Sequence, residues 1–123
     1  MKNIKSLLNP NSIAVIGASR YPQKIGHLIL KNIIEGGFTG KIFPVNPNAK
    51  EIINHPAYKS VQNIATKVDL AIIVVPHQIV PKVLKECGQK EIANAVIISA
   101  GFAEIGQEGI KREKEINQIA EKY

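Results

Sequence analysis

The chain has no tryptophan, one cysteine, three phenylalanines and three tyrosines among its 123 residues. A lone cysteine, Cys87, cannot form a disulfide within the chain, which excludes the disulfide-stapled secreted scaffolds and leaves it a structural role. No apolar run approaches the ~20 residues that a membrane-spanning helix needs, and residues 1–5 are not followed by a signal-type apolar core. We therefore expect a cytoplasmic protein without membrane contact.

Aromatic residues and acidic charge are scarce, whereas basic residues are plentiful. Lysine and arginine number 16 against 10 acidic residues, giving a formal net charge of +6. Such an excess favours nucleic acid as a partner, but the basic residues are scattered through every predicted helix, and acids interleave with them near the C-terminus. The few aromatic rings offer no stacking platform for bases. We expect no nucleic-acid binding.

The length and the apolar share of 45% suit one domain with a buried core, residues 1–123. Apolar runs alternate with segments of helical spacing. The predicted strands cover residues 13–16, 41–45, 68–75 and 95–98, and the predicted helices cover residues 25–35, about 80–88 and 107–122. The polar segment 46–67 is expected to be loop with short helical pieces. The pattern predicts an α/β, Rossmann-like, doubly wound parallel sheet with strand order 3-2-1-4.

The first predicted strand ends in the small residues Gly17, Ala18 and Ser19, and a helix-like segment follows. A turn between a parallel strand and a helix directs free backbone N–H groups outward, and the helix N-terminus adds positive potential. Glycine lets the backbone approach a ligand, and serine can cap the helix or bond a phosphate oxygen. The segment predicts a phosphate-binding turn.

The turn departs from the dinucleotide fingerprint G-x-G-x-x-G with a later acidic ribose clamp. Ser19 replaces the second glycine, and the second predicted strand ends in Asn46 and Pro47 where the acid would stand. NAD is therefore disfavoured. The basic residues expected around the mouth of this site are Arg20, Lys24, Lys41 and Lys50. They suit a ligand with more phosphate charge than NAD, and coenzyme A (CoA) fits that description.

Four blocks of sequence carry a family resemblance. They are residues 9–19, residues 37–47, residues 68–76 and residues 98–104. In order and spacing they resemble the CoA-binding domain of ADP-forming acetyl-CoA (acyl-CoA) synthetases, and more distantly the start of the α subunit of succinyl-CoA synthetase. The resemblance spans nearly the whole chain.

The resemblance implies a longer parent enzyme that converts acyl-CoA, ADP and phosphate into acid, CoA and ATP. In that family a phosphorylated histidine lies in a succinyl-CoA-ligase-like domain, and nucleotide binding belongs to an ATP-grasp domain or subunit. None of the histidines here matches that position, so no catalytic residue is expected in this chain. His27 and His55 are interpreted as surface or packing residues, and His77 as a neighbour of the ligand.

The resemblance also distributes the ligand over the strand ends. The turn would hold the pyrophosphate and the nearby cations would offset phosphate charge, whereas Asn46, Pro47, Val75, Pro76 and Val80 would enclose the adenosine and residues 99–101 would line the pantetheine path. The predicted CoA-contacting residues are Gly17, Ala18, Ser19, Arg20, Lys24, Asn46, Pro47, Lys50, Val75, Pro76, His77, Val80, Ser99, Ala100 and Gly101.

Two other functions stay open. A stand-alone CoA-responsive binding or regulatory protein would share every motif, and an NAD-dependent oxidoreductase is disfavoured by the missing acidic clamp. Relatives of this family continue with a fifth strand, for which no apolar run is left here. The fourth strand is then expected to lie at an exposed edge, where a second copy of the chain could pair.

Overall fold

The computed structural model describes residues 8–98, 114, 116–120 and 122, and their architecture is α/β. In chain order the elements are β1 (Ser12–Ile16), α1 (Ile25–Glu35), β2 (Lys41–Val45), β3 (Glu51–Ile52), β4 (His55–Pro56), a 3-10 helix (Val61–Asn63), β5 (Leu70–Ile73), α2 (Val80–Gln89) and β6 (Asn94–Ile97). Strands β1, β2, β5 and β6 form one parallel sheet. The predicted Rossmann-like class is confirmed.

The sheet separates two apolar clusters, one on each face. All five residues of β1 are buried, because helices cover both faces of a central parallel strand. On one face Leu30 of α1 packs with Val15 and Ile52. On the other face α2 packs against Ala14 and Ile73. The two clusters hold the ends of the central strands in fixed positions.

The predicted strand order 3-2-1-4 is wrong. The observed order is β2-β1-β5-β6, which is 2-1-3-4 in the numbering of the four predicted strands. Pro44 gives the physical reason, since a proline cannot donate to a ladder and is confined to edge strands within a sheet. The Pro44 carbonyl faces outward and accepts a hydrogen bond from the Tyr58 amide at 2.9 Å. The fully apolar β5 takes the central place beside β1 instead.

The segment 46–67 contains the predicted short helical piece and an unpredicted hairpin. Strands β3 and β4 pair antiparallel through a two-residue turn, Ile53 and Asn54, at φ 47° and 62°. Two positive φ values are typical of a type I′ turn, whose usual signal is Asn-Gly or Asp-Gly. The sequence has a β-branched residue at the first turn position, which explains why the hairpin was missed.

Both predicted internal helices are present, α1 within the expected residues and α2 with its proline in the first turn. The described residues of the predicted C-terminal helix are helical, and Ile116 and Ile119 join the cluster beneath α2. In the part of the chain that the structure describes, no helix is both long and apolar enough to cross a membrane.

Candidate functional site

The carboxyl ends of β1, β2 and β5 meet at one edge of the sheet. The Gly17 amide donates to the Val45 carbonyl at 3.0 Å, and the Val74 amide donates to the Ile16 carbonyl at 2.7 Å. The end of β1 and the turn after it are thus hydrogen-bonded to the last residue of β2 and to the first residue after β5. In open α/β sheets ligands bind in this crevice, where neighbouring connections leave in opposite directions.

Two glycines bring the turn, its neighbour strand and α1 into close contact. Gly17 has φ +96°, and a Cβ there would lie 1.9 Å from the Val74 carbonyl oxygen. A Cβ on Gly26, in the first turn of α1, would lie 2.0 Å from the Gly17 carbonyl oxygen. The sequence analysis gave Gly26 no role. Its position in the first turn of the helix after a glycine turn is the signal that could have found it, because a third glycine in dinucleotide-binding turns serves close packing.

Backbone N–H groups at the turn are free to bind an anion. Within residues 8–98, the amides of Ser19 and Arg20 donate no hydrogen bond, whereas the Tyr21 amide donates to Ser19 Oγ at 3.0 Å. No side chain caps the start of α1, and its first turn contains no acidic residue. The helix dipole and the free amides therefore both present positive potential at one place.

The side chains of Asn46 and His27 form hydrogen bonds to carbonyl groups of the turn. Asn46 Nδ2 donates to the Ala18 carbonyl at 2.9 Å, and Asn46 Oδ1 accepts from the Asn48 amide at 2.8 Å. His27 Nδ1 lies 2.8 Å from the Ser19 carbonyl oxygen. The sequence interpretation treated His27 as a surface or packing residue, and no local signal in the sequence marks this contact, which depends on the docking of α1.

The predicted cations lie on the solvent side of the turn. Arg20 Nη1 is 3.4 Å from the Asn48 carbonyl oxygen, and its guanidinium carbon lies 5.5 Å from the centre of the Tyr21 ring. These contacts place the Arg20 side chain between the turns that follow β1 and β2. Lys24 is the exposed residue before α1, and Lys50 is exposed just before β3.

Four further predicted residues follow β5 in the chain, and they differ in burial. Val75 is half-buried and Pro76 exposed just after β5, beside the turn. His77 lines a hollow of about 540 Å³ along α2 that also includes Lys82 and Lys85, and within the described residues its buried Nε2 has no hydrogen-bond partner. Val80 is fully buried in the core, so its side chain does not line the crevice.

Residues 99–101, predicted to line the pantetheine path, lie outside the described residues. Cys87 lies on the buried face of α2, as its structural role predicts. Burial, with a smaller contribution from Glu86, raises the pKa of its thiol to about 12. The thiol therefore stays protonated at neutral pH and has little nucleophilic character.

Curated relatives resemble the chain along nearly all of its length. It is 52% identical to the α subunit of ADP-forming acetate–CoA ligase I of Pyrococcus furiosus, over 98% of this chain and 27% of the relative. It is 48% identical to ADP-forming acetate–CoA ligase II of Archaeoglobus fulgidus, over 98% of this chain and 18% of the relative. The chain thus spans less than a third of the length of either relative.

Solved structures agree with the fold. A dinucleotide-forming acetyl-coenzyme A synthetase 1 of Ca. Korarchaeum cryptofilum, in complex with phosphate and ADP, superposes with a TM-score of 0.95 at 41% identity. The superposition covers all of this chain and 26% of that one. The family model described as "CoA binding domain" matches residues 11–123. The chain therefore belongs to the CoA binding domain family, and the predicted ligand, coenzyme A, is the ligand of that family.

Proposed function

We propose that the turn after β1 binds the pyrophosphate of CoA. The observation that carries this proposal is the pair of unengaged amides at Ser19 and Arg20, next to the uncapped start of α1. Backbone amides that converge at a helix N-terminus bind phosphate groups, and they need no charged side chain to do so. Gly17 lets this turn approach the neighbouring backbone closely enough to form.

The cations would bind the phosphate that distinguishes CoA from NAD. Arg20 already bridges toward the turn after β2, where a ribose beyond the pyrophosphate would lie. Lys24 and Lys50 are exposed and can turn toward the ligand. Charge-assisted hydrogen bonds to phosphate are stronger than neutral ones, and arginine offers a planar pair of donors.

The adenosine would lie against the turns that follow β2 and β5. Pro47 and Pro76 are exposed there, and Val75 is half-buried. His77 is a neighbour of this region, on the side of α2. Val80 is left out of the proposed contact surface because its side chain is fully buried. Residues 99–101 stay a proposal for the pantetheine path.

The activity of the longer relatives extends the proposal from binding to a part in catalysis. ADP-forming acetate–CoA ligases, by their name, join acetate and CoA with formation of ADP. We propose that this chain holds CoA so that its thiol reaches other domains, and that positioning is its contribution to rate. A succinyl-CoA-ligase-like domain would carry the phosphorylated histidine, and an ATP-grasp domain or subunit would bind the nucleotide.

Calorimetric titration of the 123-residue chain tests binding, with NADH and dephospho-CoA as comparison ligands. We expect CoA to bind and NADH to bind more weakly. We also expect no ATP from acetyl-CoA, ADP and phosphate. No heat of binding at millimolar CoA would overturn the proposed site, and NADH binding better than CoA would favour an oxidoreductase. ATP formation by this chain alone would overturn the proposal that catalysis requires the other domains.

Self-association is a separate proposal that rests on β6. Within the described residues β6 pairs with β5 along one side, and Val96 is 40% exposed on it. An unpaired strand edge is a template for a second strand. We expect a dimer in sedimentation equilibrium, and we expect the substitution Val96→Lys to dissociate it. A monomer at all concentrations would exclude this pairing.

A further inference from the structure

The directions of the two free amides are set by hydrogen bonds on the other side of the same peptide groups. A trans peptide group is planar, and its C=O and N–H point in opposite directions. The bond from Asn46 Nδ2 to the Ala18 carbonyl therefore also sets the direction of the Ser19 N–H. The bond between His27 Nδ1 and the Ser19 carbonyl sets the direction of the Arg20 N–H in the same way.

The His27 ring acts here as a donor through Nδ1. A carbonyl oxygen can only accept, so Nδ1 carries the proton in its 2.8 Å bond to the Ser19 carbonyl. His27 follows Gly26, whose backbone lies so near the turn that a Cβ there would be 2.0 Å from the Gly17 carbonyl oxygen. The half-buried His27 thus links α1 to the turn through the peptide group between Ser19 and Arg20.

Asn46 holds the preceding peptide through a side chain whose two polar atoms are both engaged. Nδ2 donates to the Ala18 carbonyl, and Oδ1 accepts from the Asn48 amide. Its backbone amide donates to the Tyr58 carbonyl at 2.8 Å. Asn46 therefore contributes to anion binding through the turn that it fixes, with no direct contact to the ligand required.

We propose that His27 and Asn46 are positioning residues that orient the amides of Ser19 and Arg20 toward the pyrophosphate before it binds. This inference rests on the proposed CoA site. A turn fixed in its binding conformation loses less conformational entropy when the ligand arrives. Loss of either side chain would leave the amides present but free to rotate away, and binding would weaken although neither side chain itself need contact CoA.

Substitutions at His27 separate the effect of the hydrogen bond that orients the turn from the effect of side-chain size. Asparagine places its Nδ2 near the position of Nδ1 of histidine, whereas glutamine places its amide farther out, near the position of Nε2. We expect His27→Ala and His27→Gln to weaken CoA binding about tenfold. This is the loss expected when one hydrogen bond from a backbone amide to the charged pyrophosphate is misaligned. His27→Asn is expected to retain wild-type affinity. If His27→Ala fails to fold by circular dichroism, the contrast of asparagine with glutamine carries the test.

A second histidine supplies the matched control. His55 Nδ1 lies 2.8 Å from the Ile53 carbonyl oxygen in the β3–β4 hairpin, a bond of the same kind away from the turn. His55→Ala is expected to lower the melting temperature and leave CoA affinity unchanged. Inorganic pyrophosphate is the probe for the turn alone, and its affinity should fall in His27→Ala by the same factor as that of CoA.

The outcomes distinguish this inference from the proposed function. Wild-type chain that does not bind CoA overturns the site and the positioning role together. Wild-type binding with unchanged affinity in folded His27→Ala overturns the positioning role and leaves the site intact. Equal losses in the asparagine and glutamine variants, or a loss for CoA without a loss for pyrophosphate, also overturn it.

Discussion

At the scale of single residues, Gly17 and Gly37 show how the same backbone angle can carry different constraints. Both have positive φ, +96° and +84°, but a Cβ at Gly37 meets nothing within 4 Å, whereas a Cβ at Gly17 would lie 1.9 Å from the Val74 carbonyl oxygen. Gly37 is therefore constrained by its dihedral angles alone. Gly17 is constrained by its dihedral angles and also by the backbone of Val74, just after β5.

We expect Gly37→Ala to lower the free energy of unfolding by about 1–2 kcal/mol, the cost of a left-handed L-residue. Gly17→Ala adds steric overlap with backbone, and its loss should exceed that of Gly37→Ala by at least about 1–3 kcal/mol. Urea unfolding measures both. Equal losses would mean that the strand end moves aside freely. A Gly17 substitution is thus a test of folding and not of CoA contacts.

The cations predict a dependence on the 3′-phosphate of CoA. Arg20→Ala should weaken CoA binding more than dephospho-CoA binding, by on the order of 1.5–3 kcal/mol at most. Calorimetry in low salt measures the difference, which should shrink at physiological ionic strength, where the Debye length is about 8 Å. Lys31→Ala is the control, because Lys31 pairs with Glu35 at the far end of α1. Equal losses for the two ligands would remove Arg20 from the 3′-phosphate site.

Cys87 predicts an alkaline loss of stability. Burial raises the pKa of its thiol to about 12 in the folded chain, from an ordinary value of 9.0. Above pH 9 the unfolded chain releases this proton while the folded chain keeps it, so the free energy of unfolding falls by about 1.4 kcal/mol per pH unit. Urea unfolding between pH 8 and 10.5 should show this slope in the wild type and a shallower one in Cys87→Ala. Parallel slopes would contradict the burial effect.

At the scale of elements, the start of β1 is joined to the start of β5 by Ser12. Its Oγ donates to the Lys67 carbonyl at 3.1 Å and accepts from the Asp69 amide at 2.9 Å. The adjoining Asn11 amide donates to an Asp69 carboxylate oxygen at 2.8 Å. These bonds align the two central strands, whose other ends lead to the glycine turn and to Val75.

We expect Ser12→Ala to lower the free energy of unfolding by about 1–3 kcal/mol, because it leaves buried polar partners unpaired. Ser60→Ala removes a cap from a three-residue 3-10 helix, and it should cost about 0.5–1 kcal/mol. Urea unfolding ranks the two, and hydrogen exchange should show faster exchange of the Asp69 amide in Ser12→Ala only. A larger loss for Ser60→Ala would contradict the role of this junction.

At the scale of the whole molecule, ligand binding and folding are linked. A ligand that binds only the folded chain stabilises it by about 2.7 kcal/mol when its concentration is 100 times its Kd. Calorimetric melting should therefore show a rise in melting temperature with CoA in the wild type and in Gly37→Ala alike. His27→Ala at the same CoA concentration should gain less. Equal gains in all three would contradict the positioning role of His27.

The local sequence was sufficient for the kinds of element and for the place of the glycine turn after β1. A continuous apolar run in a chain of this size has to be covered on both faces, which identified β1 and β5 as parallel strands. The lack of an acid after β2 disfavoured NAD, and the cations expected near the turn suited CoA, which is the ligand of the family. Pro44 also marked β2 as an edge strand, although the predicted order did not use that signal.

Only the tertiary structure decided which side chains form hydrogen bonds to the carbonyl groups of the turn. His27 and Ser19 are eight residues apart, and Asn46 and Ala18 are 28 apart, so their hydrogen bonds exist only once α1 and β2 have docked on β1. The strand order and the unusual Ile53–Asn54 turn were settled in the same way. Composition and periodicity determine which segments are buried, whereas the directions of peptide groups depend on contacts between segments that no local pattern encodes.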